Sequence, residues 1–293
     1  MTTTTAAEPV TRTLEVPGAT LTYDVRRNDA TTEPPLFLIG APMGAGGFPS
    51  LIARIPDRTI VTYDPRGTER STADDPESPI TPESAADDLH AIVGAIGGPV
   101  DVFASSGGAV NALAWVAKYP NDIRTLVAHE PPLATVLPDR EQALAATQAI
   151  HETYMAKGFG PAMAKFIAIV SHEGPFTPEV AAAPPPDPAM FGMPTEDDGN
   201  RTDLMFRHQM VHLVGYEPDF EALKRAPTRV VPAAGVESER IMAGRGAYAV
   251  AERLGTDVAI FPGGHNGFMG GEYGQPAGEP DAFAAKLREV LSA

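Results

Sequence analysis

From residue 19 to residue 130, short apolar runs alternate with longer stretches in which hydrophobic residues recur at helical spacing. The runs ATLTYDVR (19–26), PPLFLIG (34–40), RTIVTYD (58–64), VDVF (100–103) and IRTLVAHE (123–130) are bounded by turn residues and predict strands. Ahead of VDVF, Thr81 is placed to cap a helix that Pro82 opens. Ala85, Leu89, Ile92, Val93 and Ile96 share one face of it, and Gly97-Gly98 ends it. AVNALAWVAKYP (109–120) predicts the next helix. Strands alternating with amphipathic helices imply an α/β fold: a mostly parallel sheet covered by helices on both faces.

The alternation stops near Leu133, and the chain reads as helical to Ala226, interrupted by the Pro-rich TPEVAAAPPPDP (177–188). It resumes with the strand TRVVPAAG (228–235), an amphipathic segment around 240–254 and a last strand, DVAIFPGG (257–264). Pro280 opens a closing helix with Phe283, Leu287, Val290 and Leu291 on one face. Residues 1–132 and 227–293 are therefore expected to form one core. Residues 133–226 are expected to form a helical cap over the strand ends, because an inserted segment that returns to the same sheet seldom folds apart from it. Residues 1–12 have neither a basic start nor an apolar run, so they predict a disordered polar tail and not a secretory signal.

Composition narrows the function classes. A chain of 293 residues with 43% hydrophobic content has ample material for a core. With no cysteine, disulfide frameworks and thiolate metal sites are excluded, which fits a cytoplasmic location. No apolar stretch reaches the roughly 18 residues of a membrane span. The net charge of −16 repels phosphate backbones, so neither nucleic acid nor membrane is expected as a partner.

Candidate chemistry concentrates at Ala104-Ser105-Ser106-Gly107-Gly108, where the VDVF strand turns into a helix. A nucleophile elbow holds its central residue strained and needs small residues two before and two after. Ser106 at the centre meets that requirement, whereas centring on Ser105 would put Phe103 where bulk is not tolerated. A Gly-Gly turn with incidental serines has the same composition, so the elbow needs partners to mean anything. A serine hydroxyl requires a base, and the base requires an orienting acid. Of seven histidines only His265 follows the last strand, in FPGGHNGF, at the carboxyl ends of the strands. His90, His129, His151, His172, His208 and His212 read as surface or packing residues. His208 and His212 stand four apart, but the intervening residues do not make a zincin motif, and no metal is expected.

Together these segments resemble the α/β-hydrolase superfamily over nearly the whole chain. IGAPMGAGGF (39–48) resembles its oxyanion loop, with Ile39 where histidine is usual, and TYDPRGTERS resembles its D-x-R/P-G-x-G-x-S loop, with Glu69 in place of a glycine. The resemblance implies an α/β-hydrolase fold with an inserted cap, no cofactor, and catalysis by Ser106 and His265. The usual acid position, in the turn Gly235-Val236-Glu237-Ser238, holds serine. Glu130, at the alternative site after the strand that follows the elbow helix, is the expected acid, and Glu237, one residue out of phase, is the alternative. SSG at the elbow, H-E-x-P after the next strand and PGxH are together similar to the zearalenone lactonase type.

An oxyanion hole needs two aimed N–H groups. Gly107 is expected to supply one and Ala41 the other, with Met43 second because Pro42 has no N–H. Six of the ten methionines lie in the expected cap. Flexible, polarisable side chains suit apolar ligands, so Pro42, Met43, Ser105, Met155, Met205 and Phe206 are candidate pocket residues. The expectation is a cofactor-free serine hydrolase cleaving a medium-sized apolar or aromatic ester or lactone. C–C bond hydrolysis or perhydrolysis on the same triad remains an alternative, as does a ligand-binding protein with no turnover.

Overall fold

The computed structural model describes residues 7–293. In chain order the elements are β1 (Val10–Val16), β2 (Ala19–Arg26), β3 (Leu36–Ile39), α1 (Pro49–Ile52), β4 (Ile60–Tyr63), α2 (Pro82–Ile96), β5 (Val100–Ser105), α3 (Gly107–Lys118) and β6 (Ile123–His129). Then come α4 (Arg140–Lys157), α5 (Phe159–Val170), α6 (Pro178–Ala182), α7 (Met210–Val214), α8 (Phe220–Arg225), β7 (Arg229–Gly235), α9 (Met242–Leu254), β8 (Ala259–Phe261) and α10 (Pro280–Ser292).

Among the described residues eight strands form one sheet in the order β1-β2-β4-β3-β5-β6-β7-β8. Pairing is antiparallel between β1 and β2 and between β2 and β4, and parallel from β4 to β8. Side chains of successive strand residues point to opposite faces, and both faces are buried. Phe37, Ile39, Val102, Ala104 and Leu126 join one cluster with Leu89 of α2, Trp115 of α3 and Val250 of α9. Leu36, Leu38, Phe103 and Val127 join the other, with Leu51 of α1 and Phe283 and Leu287 of α10.

The helix ends follow the sequence signals. The Thr81 hydroxyl accepts from the Ser84 N–H and Pro82 occupies the first turn of α2. Gly97, at φ 86°, stops that helix. One expectation fails at the start of the chain: Val10–Arg12 belong to strand β1 and are not a tail, while residues 1–6 lie outside the described residues. Leu14 and Val16 dock on the core and hold this edge strand in place.

Between β6 and β7 lie α4 to α8, with their own apolar cluster around Ile150, Tyr154, Phe206 and Met210. This insertion bears on the strand ends. A Cβ on Gly107 would stand 2.7 Å from Leu213 Cδ1 of α7, and one on Gly67 would stand 2.8 Å from Leu204 Cδ1. Among the described residues no helix is long and apolar enough to cross a membrane.

Candidate active site

Ser106 sits between β5 and α3 at φ 58°, ψ −129°, a conformation that side chains rarely adopt and that persists only where the surroundings impose it. Its N–H donates to the His129 carbonyl at 3.0 Å, tying the turn to β6. Small residues let the neighbours close in. A Cβ on Gly108 would lie 2.7 Å from the Ile39 carbonyl oxygen and 2.8 Å from Gly40 Cα, so α3 can approach β3 only over glycine. A Cβ on Gly107 would lie 2.6 Å from the Ala41 carbonyl oxygen, which places the 39–43 loop beside the elbow. That loop is anchored from behind: buried Asp64 accepts the Ala45 N–H at 2.9 Å and pairs with Arg70, which also pairs with Asp24. Glu69 takes φ 46°, so the left-handed turn for which the resemblance expects glycine is kept with a glutamate in it.

The structure brings His265 and Glu130 together. His265 Nδ1 donates to Glu130 Oε2 at 2.6 Å. Glu130 is fully buried, and its other oxygen accepts the Gly235 N–H at 2.7 Å. The approach of the histidine loop to β7 depends on small residues, since a Cβ on Gly235 would lie 2.5 Å from the Gly263 carbonyl oxygen. Burial drives the Glu130 carboxyl upward. The His265 hydrogen bond and charge, the neighbouring His129 and the Gly235 N–H outweigh it and hold the group down at about 2. The alternative acid is not in this arrangement: Glu237 is exposed, and the carboxylate bonded to His265 is that of Glu130. Ser238, at the usual acid position, is buried and cannot carry charge.

No direct hydrogen bond joins Ser106 Oγ to His265 among the described residues. Such contacts are often long before substrate is bound and tighten in the complex. The side chain that does make a bond at the elbow is that of Ser105, whose Oγ lies 3.2 Å from His129 Nδ1.

The residues expected to line a pocket lie in different surroundings. Ser105 is buried beneath the elbow, its hydroxyl turned to His129. Phe206 packs edge-on against Phe159 and Phe166 in the core of the insertion, and Met205 packs against that same cluster. Met155 is exposed on the outer side of α4. Met43 folds back on its own loop, its Sδ against Gly47. Pro42 is exposed at the loop tip and Ala41 is buried beside the elbow. Met205, Met210 and Phe206 thus serve the internal packing of the insertion, a role composition cannot tell from pocket lining.

What the sequence reading missed is His129. It is fully buried, and its Nε2 lies 3.7 Å from Glu130 Oε1. The available signal was positional: it directly precedes Glu130 and is in register with Ser105 on the adjoining parallel strand, so both side chains point to one face of the sheet.

No protein-family model matches the chain. It is 28% identical over 266 residues to the uncharacterized hydrolase YraK of Bacillus subtilis, covering 87% of this chain and 89% of that protein. Among solved structures it is similar to an esterase from Thermogutta terrifontis, with a TM-score of 0.65 at 18% identity over 98% of each chain. It is also similar to E-2-(acetamidomethylene)succinate hydrolase, with a TM-score of 0.62 at 19% identity over 98% of this chain and 100% of that one. The chain has the α/β-hydrolase fold, as its motifs led us to expect.

The two buried groups set a pH dependence of stability. Burial holds His129 down to about 4, the charge of Glu130 opposing it, and Glu130 is held at about 2. In both cases the unfolded chain binds more protons than the folded one, so stability falls as pH falls. The His129 contribution is lost from about 6.5 down to 4, and the Glu130 contribution from about 4.5 down to 2. Urea midpoints measured from pH 8 to pH 4 are expected to decline steadily below about pH 6.5, with a loss on the order of 2 kcal/mol by pH 4. In His129→Phe the decline between pH 6.5 and 4 should be shallower.

Proposed function

We propose that this protein is a serine hydrolase that cleaves a carboxylic ester or lactone of an apolar substrate through an acyl-enzyme. The carrying observation is the 2.6 Å bond from His265 Nδ1 to a buried carboxylate at the strand ends where the strained Ser106 turn lies. With Nδ1–H engaged by Glu130, His265 Nε2 is free to take the Ser106 proton as Oγ attacks the substrate carbonyl carbon. The carbonyl oxygen becomes an oxyanion, received by the N–H groups of Gly107 and Ala41. His265 returns the proton to the departing alcohol oxygen as the C–O bond breaks. It next draws a proton from water, whose oxygen attacks the acyl carbon. Collapse of the second tetrahedral species expels Ser106 Oγ, which recovers the proton, and releases the acid.

Glu130 remains ionised throughout and stabilises the imidazolium. The structural neighbours include esterases from Thermogutta terrifontis and Exiguobacterium antarcticum. Leu213, set against Gly107, supplies an apolar wall beside the elbow and favours apolar acyl groups. The elbow carries serine and not the aspartate of haloalkane dehalogenases and related epoxide hydrolases.

A fluorophosphonate probe followed by peptide mass spectrometry tests the reading. One adduct per chain, on Ser106, is expected within minutes. A chain that stays unlabelled while intact and folded would overturn it and leave a ligand-binding scaffold.

A further inference from the structure

His129 occupies a place where a histidine is costly. It is fully buried, and its ring lies 5.4 to 6.4 Å, centroid to centroid, from those of Phe103, Phe261, Phe268 and Phe283. A phenylalanine would fill such a cage without a polar atom to satisfy. The imidazole Nε2 has no hydrogen-bond partner, and leaving a buried polar group unpaired costs about 1–3 kcal/mol. The atom is nevertheless aimed at something: Glu130 Oε1, at 3.7 Å.

The tautomer follows from the neighbours. A bare Nε2 lone pair facing a carboxylate is repelled, whereas an Nε2–H is attracted. The Ser105 hydroxyl, 3.2 Å from Nδ1, has a proton to give and fixes the matching arrangement: Ser105 O–H donates to Nδ1, and Nε2 keeps its hydrogen. Burial keeps the ring neutral at physiological pH, so it acts as a dipole and not as a second cation. The same residue's carbonyl accepts the Ser106 N–H. One residue therefore touches the nucleophile's backbone on one side and the carboxylate that orients His265 on the other.

We propose that His129 is a positioning residue: Ser105 holds it as the Nε2–H tautomer, and that N–H fixes Glu130 and shares the negative charge that Glu130 presents to His265. The inference rests on the serine-hydrolase reading only for its kinetic consequence. The titratable groups facing Glu130 and His265 are His129 from β6 and, from the turn after β7, exposed Glu237, whose carboxylate would lie 3.4 Å from a Cβ on Gly264. The faces contributed by β5, β8 and α10 present Ser105, Phe103, Phe261 and Phe283.

Imidazole ¹⁵N NMR of the full chain between pH 5.5 and 8 tests the tautomer without any turnover. His129 should show a protonated Nε2 and an unprotonated Nδ1 throughout, and an Nδ1–H tautomer or a charged ring at pH 7 would overturn the proposal. The kinetic test is the pH profile of kcat/KM for p-nitrophenyl acetate. In His129→Phe all of the carboxylate's charge falls to His265, so the acidic limb should move to higher pH by about half a unit or more. kcat should fall at least about tenfold while KM changes little. His129→Gln, which restores an N–H near the Nε2 position, should bring the limb back.

Ser105→Ala leaves the ring in place and should give a smaller shift in the same direction, which keeps the test available if the phenylalanine variant does not fold. A lowered kcat with an unmoved limb in both variants would reduce His129 to packing. If the wild-type chain shows no Ser106-dependent turnover, the hydrolase reading fails while the NMR result still judges His129.

Discussion

Ser106→Ala is expected to lower kcat for p-nitrophenyl ester hydrolysis by a factor on the order of 10⁶ and to abolish fluorophosphonate labelling. The size follows from what is removed: the atom that forms the covalent bond, without which His265 has no proton to take and the oxyanion hole no acyl intermediate to hold. Oxyanion donors and binding alone leave a residual of about 10³–10⁴ over water. The variant should fold as the parent does, because alanine bears the same φ of 58° no worse than serine. Urea midpoints of the two chains should agree within about 0.5 kcal/mol. Ser105→Ala is the matched control. Its hydroxyl is buried against His129, so this chain should still label at Ser106. Full ester turnover in Ser106→Ala, or labelling that moves to Ser105, would sink the assignment.

The core is readable in the sequence because its strands, buried on both faces, are near-continuous apolar runs, and its helices carry one apolar stripe with a cap at the start. The elbow is readable for a steric reason: only small residues allow the approach of Gly108 to β3. β1 is less legible. Val10 and Arg12 are exposed, only Leu14 and Val16 reach the core, and two docked residues give too short an alternation to stand out from a polar leader. The candidate acid is legible through the H-E-x-P resemblance and not through spacing. Whether Glu130 or Glu237 meets His265 depends on how β6, β7 and the last loop end side by side. The Gly235 N–H that receives Glu130 Oε1 comes from the very turn in which the usual acid would stand. Met155 and Phe206 show the limit of residue type as evidence, since an apolar residue at helical spacing reads the same whether it faces ligand, solvent or a neighbouring helix.

The choice of acid carries the second large effect. Glu130→Gln should lower kcat by about 10⁴, whereas Glu237→Gln should stay within about threefold of the parent. Glutamine keeps the size of the side chain, and its amide oxygen can still accept the Gly235 N–H. What it loses is the charge opposite the imidazolium that forms when His265 takes the serine proton, and the acceptor that holds Nδ1–H so that Nε2 faces outward. An amide N–H turned toward Nδ1 would impose the wrong tautomer.

The same substitution should flatten the decline of stability below about pH 4.5, because the carboxyl held at about 2 is no longer there to be protonated. A structural glutamate would give the stability change with little loss of rate, so the two measurements separate the roles. Groups that act as one unit are strongly non-additive. The double variant Ser106→Ala with Glu130→Gln should therefore be no slower than Ser106→Ala alone, since once the nucleophile is gone the acid has nothing left to orient. A further thousandfold loss in the double variant would mean that Glu130 serves some other step than activating Ser106 through His265.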